Sequence, residues 1–410
     1  MYKRCGGCVC QHMTYEASLA FKRQQVQDLL ARVGGLSIEV PPVLGMEHPF
    51  GYRNKGAYPV AQIGGAPACG FFAPRSHDLV PLPENGCAIQ GEDSAKATQA
   101  VLTWMRQHNV PAYDELTGRG LVRHIMTRST TSGELMVVVV VTRADIPKAD
   151  RLVELLRAVV PGLCSVCLSV NSRRTNVILG TDIRVLWGKA AMEDTLCGLH
   201  FAVSPLSFFQ VNPKQTEKLY GLALDYAGLT GNETVVDAYC GAGTISLLLA
   251  QKAKKVIGIE IVPEAIQNAN ENAARNNIAN AEFRVGATEE LLPQLVADGL
   301  RPDVIVLDPR VRAATPPFYK PSSPPRPNAW SMSPAAHRLL PATPSCLPRA
   351  AMPPKRFSAS ICSAGRARWK LLCHWSNRSR MISSRSASTR TSWPSPRPKA
   401  RRPMARFRRA

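Results

Sequence analysis

No aspartate or glutamate occurs in residues 311–410, although that stretch carries 21 lysines and arginines and 16 of the chain's 33 prolines. An ordinary folded domain does not go a hundred residues without an acid. The whole net charge of +21 therefore resides in this segment, because residues 1–310 hold 30 basic and 30 acidic side chains. A basic chain overall first suggests a nucleic-acid binder; the neutral first 310 residues remove that argument for the rest of the molecule. No apolar run is long enough to cross a bilayer and no secretion signal opens the chain, so a membrane role is not expected. Twelve cysteines without such a signal point to a reducing compartment, hence to thiols or metal ligands rather than disulfides. A cytoplasmic monomer is the expectation. No internal repeat is visible, which excludes a solenoid.

What is present divides into four stretches: a cysteine loop at 1–12, an α+β region at 13–200, a regular α/β region at 201–310 and the basic tail. Residues 14–33 pattern as an amphipathic helix with Leu19, Phe21, Val26, Leu29, Leu30 and Val33 as its apolar set. Met136–Thr142 is a β-branched run suited to a buried strand, and Ala149–Val160 a short helix. Val166–Val170, Asn176–Leu179 and Thr181–Trp187 pattern as strands. From 204 onward strands and helices alternate: helix Gln215–Ala227, strand Thr234–Ala238, helix Thr244–Ala253, strand Lys255–Ile261, helix Pro263–Asn276, strand Ala281–Val285, helix Thr288–Ala297 and strand Asp303–Leu307. That rhythm predicts a parallel sheet covered by helices on both faces, a Rossmann-like fold. It stops after Asp308-Pro309.

The strongest chemical motif is Val235-Val236-Asp237-Ala238-Tyr239-Cys240-Gly241-Ala242-Gly243-Thr244. A strand enters a Gly-x-Gly turn and then a helix. Glycines let backbone approach a ligand closely, and unpaired N–H groups at a helix start suit a carboxylate. A dinucleotide site looks similar, but this loop is shorter than the Gly-x-Gly-x-x-Gly fingerprint. Asp237 stands ahead of the glycines, where it would repel a pyrophosphate and suit a cationic amino-acid ligand. Glu260 ends the second strand, placed for two ribose hydroxyls, and Asp308 ends the fourth, where strand tips line a ligand crevice. The plainer alternative is a structural turn, a surface glutamate and an Asp-Pro turn.

Together with Phe208-Phe209-Gln210-Val211-Asn212 and Leu307-Asp308-Pro309, these residues resemble the bacterial RNA (uracil-5-)-methyltransferases, most of all the 23S ribosomal RNA type. The resemblance covers roughly residues 3–310. It implies a Rossmann-like S-adenosylmethionine-dependent methyltransferase domain preceded by an α+β central RNA-binding domain. It also implies donor contacts from Gln210, Tyr239, Thr244, Glu260 and Asp308, with Thr244 where the family often has Asn. Ala287 stands at a position where the family offers a further Asn contact. Upstream, Cys5-Gly6-Gly7-Cys8 followed by Gln11-His12 is similar to the family's iron–sulfur loop, and Cys87 suits the late ligand of a [4Fe–4S] cluster. The first family cysteine, and the small β-barrel RNA-binding domain that often precedes it, are expected to be missing through a late start or a truncated gene. Cys10 could substitute only with rearrangement; a zinc site or a lone reactive Cys-x-x-Cys is the alternative. Tyr52-Arg53-Asn54-Lys55 and His77 also match central-domain positions. Arg and Lys there either hold RNA phosphates or belong to a solvated hairpin.

Family chemistry needs a Cys thiolate that adds to uracil C6 and a Glu that removes the C5 proton, acting on a base taken out of its stack. Neither motif stands after Asp308: Cys346, Cys362 and Cys373 have other neighbours, and no acid follows. Restoring one base after Pro309 permits Asp-Pro-Pro-Arg-Lys-Gly. The same frame permits Val-Tyr-Val-Ser-Cys over Trp330–Ala335 and Val-Glu-Thr over Arg368–Leu371. A shifted reading frame thus explains the acid-free tail, which is expected to be disordered and catalytically dead. Two further readings stand beside this one: a non-catalytic RNA binder gripping phosphate with its tail, and a uracil-5 methyltransferase of transfer RNA.

Overall fold

The computed structural model describes residues 1–308 and, as backbone strands, 328–333, 356–360 and 370–374. All of these lie in one compact unit, Met1–Ser376. Helix α1 (Tyr15–Asp28) starts at Thr14, whose hydroxyl accepts from the Ala17 N–H, and runs on as a π-helical turn, Leu29–Val33. Its inward stripe is Ser18, Lys22, Val26 and Leu30, spaced four apart. Phe21, expected inside, is exposed, because the stripe falls one residue further on.

The central region is a seven-stranded sheet in the order β3-β2-β1-β4-β5-β6-β7. Its strands are β1 (Lys55–Ile63), β2 (Ala66–Phe72), β3 (Leu79–Pro81), β4 (Val122–Ser129), β5 (Leu135–Val141), β6 (Leu163–Val170) and β7 (Asp182–Gly188). Only the β5–β6 pair is parallel, and α3 (Ala149–Val159) makes that crossover. Every residue of β5 is buried. Val137, Val139 and Val141 pack with α2 (Glu92–Gln107) and α3, whereas Met136 and Val138 join the core on the opposite face. A strand covered on both sides cannot alternate apolar with polar, which is why this run reads Leu-Met-Val-Val-Val-Val-Val. Asn176–Leu179, expected as a strand, is not one; Asn171 caps that loop, its amide donating to the carbonyls of Val177 and Ile178.

A hairpin, β8 (Met192–Leu196) and β9 (Leu199–Val203), leads onward. The boundary expected between 200 and 201 falls inside β9. Then come α4 (Pro213–Ala227), β10 (Thr234–Ala238), α5 (Thr244–Ala250), β11 (Lys255–Glu260), α6 (Pro263–Arg275), β12 (Ala281–Val285), α7 (Thr288–Ala297) and β13 (Val304–Leu307). Strands β10–β13 are parallel, as the alternation predicted. The sheet does not end there. β14 (Asn328–Ser333) pairs parallel to β13, and β15 (Arg356–Ser360) and β16 (Lys370–His374) complete the order β12-β11-β10-β13-β14-β16-β15. These three segments lie within 311–410, the stretch whose composition predicts disorder. An uncovered β13 edge would leave a row of unpaired N–H and C=O groups, which β14 takes up. The Val-Tyr-Val-Ser-Cys reading of the alternative frame overlaps β14 at 330–333 and the Val-Glu-Thr reading overlaps β16 at 370–371; the rest of both lies outside the described residues. The rest of 309–410 lies outside the described residues. Among the described residues no helix is long and apolar enough to cross a membrane.

Candidate functional site at the carboxyl ends of the parallel strands

The chain turns sharply as it leaves β10. Tyr239 (φ +77°), Gly241 (φ +56°) and Gly243 (φ +81°) are all left-handed. The N–H groups of Tyr239 and Cys240 both donate to the Ile259 carbonyl at 2.8 and 2.9 Å, which holds the turn against β11. A Cβ on Gly243 would stand 3.0 Å from Phe283 Cζ and 3.1 Å from Ala269 Cβ, so glycine is required by packing as well as by φ. A Cβ on Gly241 would meet nothing within 4 Å; that side of the turn faces open space.

Three acids surround this turn. Asp237 is 1 % exposed, and its Oδ2 accepts from Ser246 Oγ at 2.5 Å. Its Oδ1 is buried with no hydrogen-bond partner among the described residues. Burial, together with the charges of Asp308 and Glu260, pushes the Asp237 carboxyl up to about 7, against the pull of Ser246. Glu260 is oriented by backbone: Oε1 accepts from Ile261 and Val262 N–H at 2.8 and 3.1 Å, and Oε2 from Gly241 N–H at 3.2 Å. Oε1 thus has both acceptor sites in use, and Oε2 keeps one for a hydroxyl donor. Asp308 is half-buried at the tip of β13.

The upstream motif reaches the same place. Gln210 Nε2 donates to the Tyr220 hydroxyl at 3.3 Å, and that hydroxyl lies 3.4 Å from Thr244 Oγ1. Asn212 caps α4, its Oδ1 accepting from Gln215 N–H at 3.2 Å, so part of the Phe208–Asn212 motif is architecture. On the far side, Tyr239 donates its hydroxyl to Glu289 Oε1 at 2.7 Å. Sequence reasoning missed Tyr220, Ser246, Glu289 and Asn272, whose Nδ2 donates to the Ala242 carbonyl at 3.2 Å. Tyr220 had a visible cue, since it lies on the buried stripe of α4. Glu289 had none, lying 50 positions further along the chain in the first turn of α7. Ala287 caps α7 without a side-chain bond. An unpartnered buried carboxylate oxygen, a turn open above Gly241 and acids on neighbouring strand tips fit a cationic amino-acid ligand with a ribose.

The cysteine loop lies elsewhere. Gly6 N–H donates to the Phe72 carbonyl at 2.9 Å, which pins the loop onto β2. Cys5, Cys8, Cys10 and Cys87 line a cavity of about 1060 Å³ with Arg53, His77 and His124. Burial, and the neighbouring Cys5, raise the Cys87 thiol above its usual range. Among the described residues no three Cys, His, Asp or Glu side chains come together as a metal-holding group. Cys5, Cys8 and Cys87 share one cavity with Cys10. His77 faces Glu115 at 3.4 Å and packs on Phe72. The Tyr52–Lys55 stretch is not a hairpin: it crosses into β1, with Arg53 bridged to Gln90 and Arg53 Nε donating to the Lys55 carbonyl at 2.8 Å.

Comparison with known proteins agrees with this geometry. A family model described as tRNA (Uracil-5-)-methyltransferase matches residues 95–298, and one described as Methyltransferase domain matches residues 229–378. An uncharacterized RNA methyltransferase of Clostridium tetani is 47% identical over 310 residues, covering 75% of this chain and 67% of that protein. One from Listeria innocua is 46% identical over 311 residues, covering 75% and 68%. The crystal structure of Pyrococcus abyssi tRNA (uracil-54, C5)-methyltransferase in complex with S-adenosyl-L-homocysteine shares the fold, with a TM-score of 0.74 at 22% identity over 91% of this chain and 86% of that one. The chain belongs to the S-adenosylmethionine-dependent RNA (uracil-5-)-methyltransferase family.

Proposed function

We propose that this chain binds S-adenosylmethionine above the Gly241 turn and presents it to a uracil of RNA, in ribosomal rather than transfer RNA. The observation that carries the reading is the convergence of Asp237, Glu260 and the Gln210–Tyr220–Thr244 relay at one end of β10 and β11. Bound there, the donor supplies an electrophilic methyl group. The orphaned Asp237 Oδ1 would accept from a ligand ammonium, the free acceptor site on Glu260 Oε2 from a ribose hydroxyl, and Gln210, Tyr239, Thr244 and Asp308 would complete the walls. The resemblance to the ribosomal type through the cysteine loop supports the choice of RNA. Cys5, Cys8 and Cys87 would be three of the four thiolates a [4Fe–4S] cluster takes, and no step of the reaction passes through it.

The family's nucleophilic Cys and general-base Glu belong beyond Asp308, in residues that contain no acid and no Val-Ser-Cys. We infer that the chain as given binds donor and RNA without turnover. The test is titration with S-adenosylhomocysteine, then methyl transfer to a 23S fragment and a transfer RNA, using this chain and one with the frame restored after Pro309. Donor-product binding by both and turnover by the restored chain alone, on the ribosomal fragment, are expected. No binding by either chain would overturn the reading; turnover by the chain as given would overturn its inactivity.

A further inference from the structure

Strands β12, β11, β10 and β13 lie side by side in that order, so the Gly241 turn at the end of β10 has β11 on one side and β13 on the other. Glu260 at the tip of β11 makes that the ribose side of the proposed ligand. A nucleoside whose ribose stands over β11 carries its base onward, toward the exit of β12 and the start of α7. The Gly286 N–H donates to the Glu260 carbonyl at 3.0 Å, which holds that exit against the tip of β11. Ala287, next in the chain, has no polar side chain to offer a base. Glu289, two residues on in the first turn of α7, does.

Glu289 is tied to the donor turn as well as to its own helix. Tyr239, which leaves β10 in the left-handed region, donates its hydroxyl to Glu289 Oε1 at 2.7 Å. Burial, then the bond to Glu289 and its charge, raise the Tyr239 hydroxyl well above its usual range, so it stays a donor. Glu289 Oε2 has no hydrogen-bond partner among the described residues, and no basic side chain there pairs with the carboxylate. Favouring the α7 dipole does not explain the arrangement, because Glu290 beside it is exposed and serves that role without a tyrosine. One oxygen of Glu289 is fixed by the donor turn, and the other is left for a hydrogen-bond donor.

We propose that Glu289 selects the base of the methyl donor, its Oε2 accepting from the exocyclic amino group of adenine. This rests on the reading above of a donor over the Gly241 turn, and names the residue that reads its base. Tyr239 is the positioning residue that holds the carboxylate in place. An amino group donates to a carboxylate, whereas a carbonyl at the same ring position, as in hypoxanthine, would set two acceptors face to face. A glutamine at 289 presents an acceptor and a donor, so it keeps a bond to Tyr239 and tolerates either base.

The test is calorimetry of the full chain with S-adenosylhomocysteine and with S-inosylhomocysteine, which carries a ring carbonyl in place of the amino group. The wild-type chain is expected to bind the adenine compound at least about tenfold more tightly, the cost of leaving a charged acceptor unpaired. Glu289→Gln should bring the two affinities within about threefold of each other, with the melting temperature unchanged. Glu289→Ala should lose affinity for the adenine compound and none for the hypoxanthine compound. Tyr239→Phe should lower the ratio of the two affinities, which a merely structural tyrosine would leave alone. Equal binding of both compounds by the wild-type chain, or a wild-type ratio in Glu289→Gln, would overturn the proposal. Failure of the wild-type chain to bind either compound would instead sink the donor reading.

Discussion

Asn54 and Gln210, 156 positions apart, are joined by a 3.0 Å hydrogen bond from a side-chain amide to a main-chain carbonyl. The bond sets the position of the donor segment from the central sheet, so the site is assembled by two regions rather than one. Replacing Asn54 with Ala removes that bond and keeps the parallel N–H contact to Val211. A bond of this kind contributes about 1 kcal/mol, so S-adenosylhomocysteine affinity should fall roughly fivefold in calorimetry, with the melting temperature little changed. Unaltered affinity would show that Gln210 needs no such support.

Asp237 gives the site a pH dependence. Its carboxyl is raised from 3.8 to about 7, so the folded state holds a proton that the unfolded state has lost. Folding stability from this group therefore falls as pH rises from about 4 to 7. A ligand ammonium beside Oδ1 favours the ionised form, so binding releases a proton below pH 7. Donor-product affinity should drop by up to about tenfold per pH unit on going below 7. In Asp237→Asn both dependences should vanish, which chemical denaturation and calorimetry over pH 5–8 would register.

Gly258 is set by packing alone. Its φ is ordinary, yet a Cβ there would stand 2.6 Å from Phe283 Cδ1 and 2.9 Å from Cys240 Sγ. Overpacking of this degree costs about 1–3 kcal/mol. Gly258→Ala should lower the urea midpoint accordingly and weaken donor binding, because Phe283 also abuts Gly243. A variant as stable as wild type would show that Phe283 has room to move.

Reconstitution with iron and sulfide under reducing conditions should leave the chain with much less than four irons per molecule, readily lost to a chelator. The thiolates of Cys5, Cys8 and Cys87 leave one iron of a four-thiolate cubane without a protein ligand. Stoichiometric, chelator-resistant iron would demonstrate that the loop rearranges to recruit Cys10.

Local chemistry made much of the donor fold legible. The alternation from Thr234 to Leu307 and the Gly-x-Gly turn depend on short-range periodicity and on backbone angles that only certain residues tolerate. The same logic found β5, whose valine run needs no partner to be recognised. It failed at Asn176–Leu179, where an apolar run is a loop held by Asn171, and at Phe21, where the register of the helix differed by one residue.

Sequence by itself determined that a strand-turn-helix unit with acids at successive strand tips would form, because neighbours along the chain impose it. Only tertiary structure decided that Tyr220 bridges Gln210 to Thr244, that Glu289 receives Tyr239, and that Asp237 is sealed with one oxygen left without a partner among the described residues. Those relations arise where distant segments meet, and the energies that select them depend on burial, which no local pattern encodes.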